Sequence, residues 1–275
     1  MTITRRDFLK MSGMFAAWTA LASCAPSELA LTPTAPALTA LPPLPLDDES
    51  LLVHTLRRFT FGPTPAMIEK AKRIGLSAFI EEQLFPESIP DDATDKMMDQ
   101  FTTLDMTPAE RFKLEKKGLP VQELISATIL RQRHSERQLF ETMVDFWGNH
   151  FSIYIAKGGC KVLKTDDDLK AIRPNALGKF RDLLHASAHS PAMLVYLDQA
   201  TSVGDAPNEN YGRELMELHT IGVDSGYTHH DVEEVSRALT GWTVVGARDR
   251  KKDFGAYYFN PDIHNQGDKH VLGIM

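Results

Sequence analysis

The chain has 275 residues, a formal net charge of −7 and two cysteines, and 43% of its residues are apolar. An acidic chain with no Lys/Arg run repels nucleic acid and anionic lipid, which argues against a nucleic-acid partner. The length suffices for one large core or two small ones.

Thr4-Arg5-Arg6-Asp7-Phe8-Leu9-Lys10 resembles a twin-arginine (Tat) export signal, and an apolar stretch from Met11 to Leu21 follows it. A charged head, a short apolar middle and small residues before a cleavage point are the anatomy of a signal peptide. The apolar run is far below the roughly 20 residues a membrane-spanning helix needs. Leu21-Ala22-Ser23-Cys24 resembles a lipobox, so residues 1–23 are expected to be removed and Cys24 lipidated. The alternative is a plain cleavable signal. Ala25 is not the aspartate that retains lipoproteins in the inner membrane, so the expected location is the periplasm or the outer membrane. Cleavage would remove Arg5, Arg6, Lys10 and Asp7, and the mature charge becomes −7 − 2 = −9.

Residues 24–50 hold Pro26, Pro33, Pro36, Pro42, Pro43 and Pro45 and read as a tether, since proline removes backbone donors and fixes φ. Residues 51–275 then read as mainly α, a multi-helix orthogonal or bundle-like domain. Ser50 is placed as the cap of the first helix, and Thr64-Pro65 starts the second. Thr107-Pro108-Ala109-Glu110 is a capping box with proline at the first helical position. A helix from about Pro120 to His134 breaks near Ser135 and continues to His150, with Leu139, Met143, Phe146, Trp147 and His150 at helical spacing. Asp166-Asp167-Asp168 reads as negative charge at a helix N-terminus, the alternative being a calcium site. Asn175 and Ser190-Pro191 start further helices, Asn208 caps one ending near Gly222, and Thr228 with Asp231 caps one ending at Gly241. Trp242 to Val245 and Tyr257 to Phe259 form at most a small β-hairpin. With Cys24 lipidated, Cys160 has no partner and reads as an inert, half-buried thiol, the alternative being a reactive one. There is no glycine-rich phosphate loop, Gly-x-Ser-x-Gly elbow or Cys-x-x-Cys.

Three stretches are distinctive: Arg137 to Phe151 (RQLFETMVDFWGNHF), Asn208 to Val223 (NENYGRELMELHTIGV), and Gly226-Tyr227-Thr228 leading to Leu239-Thr240-Gly241-Trp242. Together they resemble the bacterial family called domain of unknown function 1800, and the resemblance runs from about residue 50 to the end. It implies an exported, largely helical protein without an established activity. It also implies a partner, a secreted protein related to sulfatases and alkaline phosphatases, whose gene often neighbours those of the family. Members continue beyond the His-x-x-Gly-x-Lys segment, here His264, Gly267 and Lys269. The resemblance therefore implies an incomplete domain with Val232, Val235 and Leu239 uncovered. Asn265 stands where an aspartate is usual, which weakens any role for a carboxylate there.

On a straight helix from Glu209, steps of about 100° place Asn210, Arg213, Glu214 and Glu217 on one face. Tyr211, Leu215 and Leu218 fall on the adjoining core face, and His219 falls opposite Asn210. Arg213 lies within one turn of Glu217 and could neutralise it. Trp147, Asn149 and His150 end the earlier helix and are the expected neighbours. His229-His230 reads as solvent-facing. Histidine and carboxylates meeting between helices can build a metal site. One reading thus makes Glu214, Glu217 and His150 catalytic. In it, His150, Glu214, Glu217 and His264 ligate a divalent metal, while Trp147, Asn149, Asn210, Arg213, His264 and Lys269 bind or support. The other makes the same residues an ion-pair and hydrogen-bond network that fixes helix positions. The functional expectation is an exported, lipid-anchored envelope protein, a hydrolase if an enzyme. Its alternative is a non-catalytic binding or scaffold module for the sulfatase- or phosphatase-like partner.

Overall fold

A computed structural model of the chain describes residues 48–246 and 255–275. The export signal, Cys24 and nearly all of the proline-rich tether lie outside the described residues. Among the described residues twelve α-helices follow one another with one small sheet. They are α1 Asp48–Phe59, α2 Pro65–Ile74, α3 Leu76–Leu84, α4 Asp92–Met98, α5 Pro108–Lys113 and α6 Leu119–His134. After them come α7 Gln138–His150, α8 Cys160–Asp166, α9 Phe180–Ala188, α10 Pro191–Tyr196, α11 Glu209–Glu214 and α12 His229–Leu239. Strands β1 Trp242–Val244 and β2 Tyr257–Phe259 pair antiparallel, Trp242 opposite Phe259. The fold is mainly α, with a hairpin where the sequence places it. No described helix is long and apolar enough to cross a membrane.

Local chemistry sets most boundaries. Thr64 Oγ1 accepts from Met67 N at 3.2 Å with Pro65 at the first helical position. Thr107 and Glu110 cap each other reciprocally at the start of α5, and Thr228 and Asp231 do the same for α12. Helix α1 starts at Asp48, so Ser50 lies inside it. Lys179, not Asn175, precedes α9; Arg173–Asn175 is a tight 3₁₀ turn, and the Asn175 amide bonds back to Ala171 O at 2.8 Å.

The break between α6 and α7 is held by buried amides. Gln83 of α3 donates to Glu136 O at 2.9 Å and accepts from Leu139 N at 3.1 Å. Asp91 accepts from Ser135 Oγ at 2.5 Å. The backbone groups freed by ending one helix and starting the next thereby find partners away from water.

The main core joins α7 through α12, with Phe151, Ile172, Leu183, Met193 and Tyr211 almost fully enclosed. Smaller clusters lie under α1–α3, around Leu56 and Phe79, and under α6, around Leu104 and Ala127. Val232 is fully buried, Leu239 belongs to the main core and Val235 packs on it. The apolar face of α12 expected to be uncovered is therefore covered. Cys160 is fully buried, and its thiol is pushed up to about 11 by burial, as an inert cysteine requires.

Candidate functional site

Helix α11 carries Asn210, Arg213 and Glu214 of the residues singled out by the sequence, and α12 opens with His229 and His230. Asn208 Oδ1 accepts from Asn210 N at 2.9 Å and opens α11. The two helices touch at Gly212, where an added Cβ would overlap Ser236 Oγ. After Glu214 the helix widens into a π turn over Leu215–Thr220. Ile221 N and Gly222 N both close on Met216 O at 3.1 Å, and Thr220 Oγ1 donates to Leu215 O at 2.6 Å.

A π turn holds one residue more than an α turn, so everything after it lags the straight helical wheel. Leu218, expected in the core, is 61% exposed, and His219, expected on the far side, is 5% exposed. Burial, and secondarily His150, lowers the His219 imidazole to about 4, so it is neutral at neutral pH.

His219 meets the end of α7. His150 Nε2 donates to His219 O at 3.1 Å, and the rings lie 6.2 Å apart. Trp147 Nε1 donates to Ala176 O at 3.0 Å, and its ring lies 5.6 Å from His150 and 5.7 Å from Phe180. Asn149 bonds back to Asp145 O at 2.9 Å and is exposed, as is Phe146. Glu214 and Glu217 are half-buried and make no hydrogen bond or ion pair among the described residues. Asn210 is half-buried too.

Arg213 turns away from Glu217 and pairs with Glu209 at 2.9 Å. Its guanidinium also lies 3.5 Å from His229 Nδ1. His229 Nδ1 is 3.7 Å from Glu209 Oε2, and His229 Nε2 is 3.5 Å from Glu233 Oε1. Glu209, His229 and Glu233 offer ligand atoms all within 4.8 Å of one another, the one such trio among the described residues. A carboxylate–imidazole–carboxylate set suits zinc and similar divalent ions. Sequence reasoning placed His229 in solvent, correctly, and passed over Glu209. The usable signal was the pair of caps: Asn208 and Thr228 make Glu209 and His229 the first residues of two helices that then touch.

His264 and Lys269 belong to a different place. His264 Nδ1 donates to Thr240 O at 2.7 Å, and its Nε2 lies 3.5 Å from Lys269 Nζ, which also bonds Asn265 O. Asn265 donates to Gly204 O at 3.1 Å while its Oδ1 accepts from Arg237 and Gly267 N, each at 3.1 Å. A carboxylate could not make the first of these bonds. Glu234 pairs with Arg237 and accepts from His270 N at 2.8 Å, and Asp231 accepts from Leu272 N at 2.7 Å. Hydrogen bonds to Thr228 and Leu272 hold the Asp231 carboxyl down to about 2. Together these bonds fasten residues 264–272 to α12.

No hydrogen bond, ion pair or ring contact among the described residues joins His264 to His150, Glu214 or Glu217. Among the described residues His150, Glu214, Glu217 and His264 thus do not form a set of mutually close ligand atoms. The reason is that His264 is committed to the C-terminal end of α12, and His150 to the π turn.

The fold and these sites define an α-helical domain with a small hairpin and a Glu/His face on two touching helices. The chain belongs to the family described as Protein of unknown function (DUF1800), which matches residues 54–275. Comparison with curated proteins and with solved structures finds no match.

Proposed function

We propose that this is an exported envelope protein, anchored by a lipid on Cys24, whose helical domain is a hydrolase centred on the α11–α12 face. Export rests on the Arg5-Arg6 signal and anchoring on the Leu21 to Cys24 box. The observation that carries the chemistry is the meeting of Glu209, His229 and Glu233 within 4.8 Å. A divalent ion held there would lower the pKa of a bound water and supply a nucleophile at neutral pH. Arg213 occupies the same ground and must release Glu209 for that ion. Glu214 and Glu217, with no ionic partner among the described residues, are the acid–base candidates on the same stretch of chain.

The test is metal analysis of the full chain after zinc loading and dialysis. One bound ion, lost in His229→Ala and Glu233→Gln with unchanged circular dichroism, is the expected result. No retained zinc, or equal retention in both variants, would overturn the centre. Mass spectrometry of the mature N-terminus checks the anchor separately, and an unmodified Cys24 would end that part.

One observation favours the second reading, a binding module for a secreted sulfatase- or phosphatase-like partner. Phe146 and Phe180 are 55% and 41% exposed, and the rings of both lie against Trp147, at 4.8 and 5.7 Å. Apolar side chains gathered in this way are typical of a protein contact. Co-purification from the host, lost in a Phe146→Ser/Phe180→Ser double variant that still binds zinc, would establish it.

A further inference from the structure

A cleft of about 510 Å³ lies well apart in sequence from the α11–α12 face. Its walls come from the start of α5, the end of α8, the turn between α9 and α10, and the segment entering β2. It is open because its walls are small: Ala109, Ala171, Ala186 and Ala256 project little into it. Gly255, at φ +85°, lets this segment press so close to Pro108 that an added Cβ would sit 2.6 Å from the proline Cβ.

Two features of the walls select a ligand. The first is aromatic. His189 stacks on Trp242 with ring centroids 4.7 Å apart and meets Tyr257 edge-on at 4.5 Å. His189 Nδ1 donates to His185 O at 2.7 Å, which fixes the orientation of the ring. Burial raises the Tyr257 phenol, which keeps it a neutral donor. The result is a rigid ring wall with polar edges, suited to a flat apolar body.

The second feature is charge. Asp166 is bonded at 2.6 Å by both Lys170 and Arg111, the latter 1% exposed. Arg111 lies outside the lining and neutralises Asp166 from behind, which leaves the charge of Lys170 uncompensated at the cleft. Lys170 is 70% exposed and has three donors, of which Asp166 takes one.

We propose that this cleft binds a small amphipathic anion, its ring body against His189 and Tyr257 and its acidic group at Lys170. Ser190 belongs to its lining, with an Oγ that is closed to solvent and unbonded.

The experiment uses anilinonaphthalene sulfonate, an aromatic monoanion that fluoresces on leaving water, and its uncharged relative N-phenylnaphthylamine. The full chain should show a saturable 1:1 fluorescence component with the sulfonate. Filling the cleft with Ala186→Phe, or independently with Ala109→Leu, should weaken that component at least about tenfold, a change worth some 1.4 kcal/mol. Lys170→Ala should weaken the sulfonate roughly threefold and leave the uncharged probe unchanged, as an exposed charge contact predicts. Melting curves of both filling variants report whether the fold survives, and one folded variant is enough. A folded variant with undiminished sulfonate binding would overturn the site. Equal affinity for the two probes would overturn the anionic preference.

Discussion

The helical stretch after Asp166 and the one after Glu214 both pass through a π turn, over Asp167–Ile172 and Leu215–Thr220, and both carry acidic residues. Around the first, charge is buried and mostly paired. Lys164 holds Asp167 at 2.5 Å, and Arg173 holds Glu141 through two bonds of 3.0 and 2.5 Å. Asp168 is half-buried with one carboxylate oxygen closed to solvent and unbonded, and loss of solvent raises its pKa against the pull of Arg173, Lys164 and Arg131. Around the second, Glu214 and Glu217 stand half-buried with no ionic partner among the described residues, and Arg213 is engaged elsewhere. The difference follows from water. A carboxylate removed from solvent is held by cations or loses its charge, whereas one that keeps part of its hydration can stay ionised, unpaired and open to a ligand. The first turn is therefore tied down by charge, and the second leaves two carboxylates without an ionic partner among the described residues.

The largest effect expected from this contrast lies at the buried turn. Arg173→Ala strands Glu141 and should cost about 3–5 kcal/mol in urea unfolding. Replacing the pair together, Glu141→Leu with Arg173→Met, should recover most of that loss, since a buried ion pair is often no more stable than apolar packing. A double variant as unstable as the single one would break the contrast at its first member.

Next is the helix contact that positions the second turn. Gly212→Ala drives a methyl into Ser236 Oγ and should cost roughly 1–3 kcal/mol. Adding Ser236→Ala should return part of it, and calorimetric melting of the three variants measures both steps. No recovery would mean that the Gly212 contact is not what limits the approach.

A smaller effect is read in pH. His219 titrates at about 4 in the fold against 6.5 ordinarily, so between those values the unfolded chain binds the extra proton. Stability should therefore decline as pH falls from 6.5 towards 4, and His219→Phe should flatten that stretch of the profile. Asp231, held at about 2 against 3.8, contributes in the same direction at lower pH, its share being lost as pH falls from 3.8 through 2. Asp231→Asn should remove that lower stretch alone. A His219→Phe profile that keeps the slope between 6.5 and 4 would show that the buried ring is not its source.

The smallest change in stability belongs to the open turn. Glu214→Gln and Glu217→Gln should shift unfolding by no more than about 0.5 kcal/mol, as surface substitutions do, while hydrolysis, on the proposal above, is lost. Glu209→Gln should be similarly mild in stability, since exposed ion pairs contribute at most about 1 kcal/mol, yet it should abolish zinc retention. A loss of several kcal/mol at Glu217 would move it into the structural class and erase the distinction between the turns.

The sequence by itself determined the helical class, the hairpin, the break at Ser135 and the starts of α2, α5, α10, α11 and α12. Each is decided within a few residues, by a hydroxyl or amide reaching a free N–H, by proline at a first turn, or by a change of periodicity. Only the tertiary structure decided the phase of the chain after Glu214. Gly212 on Ser236 and His150 on His219 O lie 24 and 69 positions apart, and contacts of that reach determine whether a turn takes the extra residue. With that residue inserted, Leu218 goes to solvent, His219 goes to the core, and the expected pairing of Arg213 with Glu217 gives way to Glu209. The same holds for Asp166-Asp167-Asp168. A run that reads as helix-capping charge lies instead at the end of α8 and the start of a π turn, where Arg111, Lys164 and Lys170 meet it. Charge pairing across a core depends on which elements pack together, and a helical wheel drawn for one element contains none of that information.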